Sequence, residues 1–156
     1  MLQRIDPTEM KYLEVMRDRG IPIRFVSDKQ AQLVEHYDFL VRYTIKVELK
    51  GMKAIHRGEP KQFARQWVEW QNVVGNIGWV RGQAVWVVFE EPDGYLCVRR
   101  TALEELVSKV DWCVFTTDKD YSLDLKAFSR SGRADRICLV QRADLTALRG
   151  TKKMFV

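Results

Sequence analysis

The sequence is poor in the residues that build the commonest metal and redox centres. It holds two histidines and three cysteines in 156 residues. Cys97, Cys113 and Cys138 are odd in number and far apart, with no CxxC pair, so neither a zinc ribbon nor a disulfide framework is indicated. His36 and His56 are too few and too separated for a histidine-based metal site. Gly51, Gly58, Gly75, Gly78 and Gly82 form no GxGxxG fingerprint and no P-loop. Apolar runs stay well short of the roughly 18 residues a membrane helix needs. The start of the chain, through Pro7, lacks the apolar stretch of a signal peptide. Repeats and low-complexity segments are absent. The expectation is a cytoplasmic protein in a reducing compartment, with no membrane partner.

What is present suits one domain over residues 1–156. Apolar residues make up 46% and charged residues 30%, and five Trp and seven Phe supply large surfaces to bury. The net charge of +5 is uneven. Residues 126–156 hold eight Lys and Arg against two Asp, whereas residues 1–125 hold eighteen against nineteen acids. That asymmetry points to a polyanion partner, with a solvated basic tail as the equal alternative.

A helix opens the chain: Asp6 can cap it, Pro7 fits its first position, Glu9 completes a capping box, and Met10, Leu13 and Met16 recur at helical spacing up to Gly20. A short strand follows over residues 22–27. Residues 60–74 read as a second helix, because Pro60 opens the segment and Phe63, Trp67, Trp70 and Val74 form one stripe. Residues 84–89 form a continuous apolar run, which suits a strand buried on both faces, and residues 95–98 return after the Pro92-Asp93-Gly94 turn. Thr101 and Glu104 suggest a capping box for a helix to about Val110. Residues 112–115 and 137–140 read as short strands.

Residues 36–50 are the most informative stretch. Every odd position from 37 to 49 is apolar (Tyr37, Phe39, Val41, Tyr43, Ile45, Val47, Leu49), a period of two that specifies strand. Fifteen residues are long for a single strand, since about 5–6 is typical. The segment is either one long strand or a hairpin bent near Arg42-Tyr43-Thr44, although no Gly or Asn marks a turn. A bend centred on Tyr43 sets Asp38 directly across from Glu48, with Lys50 on the same face. Facing residues sit about 4.5–5.5 Å apart. Two adjacent carboxylates repel, and a divalent cation with a taste for hard oxygen ligands, Mg²⁺ or Mn²⁺, removes that penalty. Lys50 could then orient water or counter phosphate charge. In a straight strand, Asp38 and Glu48 lie roughly 33 Å apart and no site exists. The competing view, a hairpin whose polar face simply meets water, weighs about the same on spacing alone.

Asp38 followed by Glu48-x-Lys50, each within an apolar strand, resembles the signature of the PD-(D/E)XK nuclease superfamily. That superfamily includes restriction endonucleases, archaeal Holliday-junction resolvases and RecB-like nucleases, and its core order is αβββαβ. The resemblance implies an α/β fold with a restriction-endonuclease-like core over residues 1–90, a central mixed sheet flanked by helices, and a basic β/α extension over residues 91–156. It implies that Asp38 and Glu48 bind Mg²⁺ or Mn²⁺ and that Lys50 assists the attacking water. Many members place a Glu on the first helix near the metal. Glu9 and Glu14 compete for that role, and Glu9 points inward more than Glu14, with the capping box as its other use. Some members place a Gln on the helix after E-x-K, which makes Gln62 and Gln66 candidates, Gln66 nearer the middle. One departure is visible: Tyr37, not Pro, precedes Asp38.

The resemblance further implies a nuclease acting on DNA, RNA not being distinguished, and structure-specific in the manner of junction resolvases. Since resolvases work as dimers, a homodimer is a further expectation. Lys53, Arg57, Arg81, Arg130, Arg133 and Arg136 are the candidate phosphate contacts. Trp67, Trp70 and Trp79 read as core rather than as base-stacking residues. The alternative function is a catalytically inactive module of the same fold that binds nucleic acid or a protein.

Overall fold

The computed structural model describes residues 5–156; residues 1–4, part of the segment read as lacking a signal peptide, lie outside it. Helix α1 spans Pro7–Asp18 and starts as the sequence specifies. The Asp6 carboxylate accepts from the Glu9 backbone N–H at 2.9 Å, and the Glu9 carboxylate accepts from the Asp6 N–H at 2.8 Å. Its buried face is Tyr12, Leu13 and Met16, while Met10 is exposed. Strand β1, Ile23–Phe25, follows, and then an unanticipated single π-turn over Ala31–Glu35.

The chain does bend between residues 41 and 45. Strands β2 (Phe39–Val41) and β3 (Ile45–Lys50) pair antiparallel, with Phe39 opposite Val47 and Val41 opposite Ile45. Arg42 and Tyr43, in the three-residue loop 42–44, have φ of 50° and 62°, the left-handed region that favours glycine and asparagine. That conformation costs about 1–2 kcal/mol for each residue with a Cβ. Burial of Phe39, Val47 and Leu49 against α1 more than offsets it, at about 1.5–3 kcal/mol for each large side chain. Turn propensity is thus overridden by the apolar face.

Residues 60–74 are not a helix. Arg65–Gln71 form strand β4, paired antiparallel with β7 (Arg136–Gln141) in a separate two-stranded sheet. Val68 and Gln66 point inward and Trp67 outward, so the apparent helical stripe is divided between two faces. The partner strand lies some 70 residues further along, beyond the reach of local periodicity. A short 3₁₀ turn, Trp79–Arg81, leads into β5 (Trp86–Glu91), which runs parallel to β3 and is covered on both faces as its apolar run predicts.

Strand β6 (Gly94–Arg99) returns beside β5; α2 (Arg100–Val107), α3 (Arg142–Ala147) and β8 (Lys152–Phe155) complete the chain. No side chain caps α2; Glu104 pairs instead with Arg100. Residues 112–115 form no strand, and Trp112 stacks on Trp70 with centroids 5.2 Å apart. The main sheet is mixed, with the order β1-β2-β3-β5-β6-β8. One face packs on α1 through Phe39, Val47, Val88 and Tyr95. The other packs on α2, α3 and the β4–β7 ribbon through Val87, Phe89, Leu96 and Val140. The class is therefore α/β, as expected. Residues 91–156 supply β6 and β8 to the main sheet and β7 to the ribbon, so they are integral to the body and form no loose basic tail. Among the described residues, no helix is long and apolar enough to cross a membrane.

The turn strain is testable. Replacing Arg42-Tyr43 by Asn-Gly should raise stability by about 1 kcal/mol, read as a higher urea midpoint at unchanged m-value.

Candidate active site

The hairpin register brings Asp38 beside Glu48. Just before β2, the Asp38 N–H donates to the Val47 carbonyl at 2.8 Å, and the Asp38 carboxylate accepts from the Leu49 N–H at 2.8 Å. Glu48 is 5% exposed. Lys50 donates to the Glu48 carboxylate, and its ammonium also lies 4.8 Å from the centroid of the buried Trp79 ring. These groups open into a cleft of about 390 Å³ whose wall includes Asp6, Thr8 and Glu9 from the start of α1. Glu9 therefore reaches the site, but its carboxylate is held by the Asp6 N–H. The structure thus gives Glu9 the cap and a place at the rim together. Glu14 does not line the cleft.

The electrostatics of the pair are asymmetric. Burial, and next the Glu48 charge, push the Asp38 carboxyl from its ordinary 3.8 up to about 7. Burial, with the Asp6 and Glu48 charges, likewise raises Glu9 against the pull of the Asp6 N–H. Lys50 responds oppositely: burial favours the neutral amine, yet Glu48 and Asp38 outweigh it and hold the ammonium above its ordinary value. Negative charge is thus in excess at this spot. A divalent cation between Asp38 and Glu48 would relieve it, and the donors are the hard oxygens that Mg²⁺ and Mn²⁺ take. Among the described residues, no three of His, Cys, Asp and Glu converge on one point. Two protein carboxylates leave positions for water and phosphate oxygens, the usual habit of Mg²⁺.

A second cleft of about 700 Å³ adjoins the first, sharing Lys50, Gly51 and Lys53. Lys53, Arg57, Arg130 and Arg133 line it, as do Arg65 and Lys119, which the sequence reading did not single out. Arg81 and Arg136 do not. The Arg81 guanidinium donates to the Trp70 carbonyl at 3.0 Å and lies over that ring; Arg136 lies over Phe115 and donates to the Asp135 carbonyl. Gln66 lies on β4 and not on a helix; it borders the basic cleft but is turned inward and only 6% exposed. Gln62 bridges the Lys53 and Arg65 carbonyls. Trp67 proves half-buried and faces the cleft, Trp70 packs on Trp112, and Trp79 is core.

A helix over residues 60–74 gives Glu69 no part in the site, whereas a strand does. On β4 it lines the basic cleft close to Lys50. Burial raises its carboxyl, against the charge of Lys50 and an N–H from Trp79. Period-two alternation of Gln66, Val68 and Trp70 against Trp67 and Glu69 was the signal that could have found it.

Because the folded Asp38 carboxyl is raised, the fold binds the extra proton between pH 3.8 and about 7, and stability falls as pH rises through that window. Without divalent ions, Asp38→Asn should melt higher than wild type at pH 8, and the gap should close towards pH 4. Cation binding must displace that proton, so Mn²⁺ affinity by calorimetry should climb about tenfold per pH unit up to pH 7 and then level off. A flat profile would show that Asp38 is not a ligand. Comparison of the chain with protein-family models, with curated proteins and with solved structures found no match.

Proposed function

We propose that this protein is a divalent-metal-dependent nuclease that hydrolyses DNA phosphodiester bonds at Asp38, Glu48 and Lys50. The observation that carries the reading is the hairpin register: it sets an excess-acid pair, with a lysine two residues on, at the lip of a cleft lined by cations. Asp38 and Glu48 would hold Mg²⁺ or Mn²⁺. When bound, the ion supplies Lewis acidity to water and to the scissile phosphate. The charged Lys50 donates to a non-bridging phosphate oxygen and orients the water, since its raised pKa keeps it protonated at neutral pH. Lys53 and Arg57 counter the charge of flanking phosphates.

In this reading α1, β1–β3 and β5 make a restriction-endonuclease-like core, with β4 standing where that family has a helix. The site residues, not the crossover, support the assignment. The homodimer suggested by the resolvase resemblance belongs to the same proposal.

Cleavage assays on linear, single-stranded and branched DNA with Mg²⁺ test it. Asp38→Ala, Glu48→Ala and Lys50→Ala should each lower the rate at least about 10²-fold, and the two carboxylate variants should lose Mn²⁺ binding. If wild type and Lys50→Ala are equally inert on every substrate, the protein is a binding module and the nuclease reading fails.

A further inference from the structure

The basic cleft has features that a general phosphate-gripping surface does not need. Its cations face inward from three separate segments: Lys53 and Arg57 from the loop after β3, Lys119 from the loop before residue 126, and Arg133 from the turn before β7. Among the described residues, these four make no side-chain hydrogen bond or ion pair. Burial, with the charges of Lys50 and Arg130, holds the Lys53 ammonium below its ordinary value. Unpartnered like charges gathered around one space are unfavourable by themselves and are relieved by an anionic ligand.

The floor and one wall are aromatic. Trp67 and Tyr121 meet edge-on at 4.8 Å and 88°, and Tyr121 meets Phe128 in the same manner at 5.1 Å. The exposed His56 ring lies 5.2 Å from Tyr121 at 31°, so the rim of the cleft already pairs one planar ring with Tyr121, which itself lines the space. Arg65 anchors this wall, donating to the Tyr121 carbonyl and to Asp124, both at 2.7 Å.

We infer that the cleft takes an unpaired DNA strand in preference to a duplex and leads it past Lys50 to the acid pair. The inference rests on the nuclease reading for the fate of the strand. Size supports it: about 700 Å³ is the scale of a pocket that encloses a small molecule, hence a nucleotide or two and not a double helix. Geometry supports it too. A duplex carries its phosphates on the outside and covers the faces of its bases, whereas a single strand offers phosphate and base face together. Cations on the walls and rings on the floor match the second pattern. Gly51 lines both clefts where they adjoin, and a Cβ there would crowd the Thr8 side chain at 3.2 Å.

Fluorescence anisotropy in EDTA measures binding with cleavage switched off. A labelled oligothymidylate should bind at least tenfold more tightly than a labelled hairpin duplex of equal length. Its affinity should fall with salt at a log–log slope near about −3 for four phosphate contacts, and Lys119→Ala should reduce that slope by about 0.7. Tyr121→Ala should weaken single-strand binding at least tenfold, while Tyr121→Phe keeps it. Equal or tighter duplex binding overturns the inference, as does Tyr121→Ala binding like Tyr121→Phe. Should Tyr121→Ala fail to fold, the wild-type preference and the Lys119→Ala slope still decide. Cleavage with Mg²⁺ is scored separately. A strong single-strand preference without cleavage sinks the nuclease reading alone, and cleavage of duplex bound as tightly as single strand sinks this inference alone.

Discussion

The pairing of β2 with β3 through a strained left-handed turn is the constraint on which the candidate site depends. Arg42 and Tyr43 adopt a backbone conformation that favours glycine and asparagine, and neither residue type is present. The turn persists because a different register would move Phe39, Val47 and Leu49 out of the core against α1. A shift of one residue would also carry Asp38 and Glu48 to opposite faces. Hydrophobic burial on one side of the hairpin thus sets the chemistry on the other.

Charge is sorted on a fine scale around that hairpin. Asp38, Glu48 and Glu9 line one cleft and most of the cations line the other, with Lys50 and Lys53 shared and Glu69 on the basic side. Lys50 touches the acids directly and also lines the basic cleft. It partly neutralises the acids, and its ammonium is retained by them despite burial. Such a boundary between negative and positive regions suits a polyanion whose backbone must approach carboxylates, since the approach is tolerated only with compensating cations close by.

Buried ion pairs elsewhere position the walls. Asp135 is fully buried and accepts from Arg130 through both backbone N–H, at 3.1 Å, and side chain, at 2.5 Å, which fixes the turn carrying Arg133. Glu91, 1% exposed, accepts from Arg142 and Lys153 and so ties β5 to α3 and β8. Burial alone would raise its carboxyl, yet its two cations hold it below the usual range. Breaking either pair would leave a buried charge uncompensated. Arg130, Arg142 and Lys153, three of the basic residues in the 126–156 excess, therefore serve in architecture.

The sequence by itself determined the elements whose cause is local: the capped α1, the doubly buried β5, the β5–β6 hairpin, and the alternation over residues 36–50 with its place for a bend. Those depend on neighbours within a few residues; the alternation left a straight strand and a hairpin both open, and packing of Phe39, Val47 and Leu49 against α1 chose the register that sets Asp38 against Glu48. Tertiary structure decided what depends on distant pairing. It made β4 a strand because β7 offers it a partner, and so brought Trp67 and Glu69 onto the cleft floor and turned Gln66 inward beneath it. It also selected Lys53, Arg57, Arg130 and Arg133 for the cleft and withdrew Arg81 and Arg136, whose guanidinium groups found aromatic faces and carbonyls. Local periodicity records which side chains prefer burial, but not which distant strand will bury them.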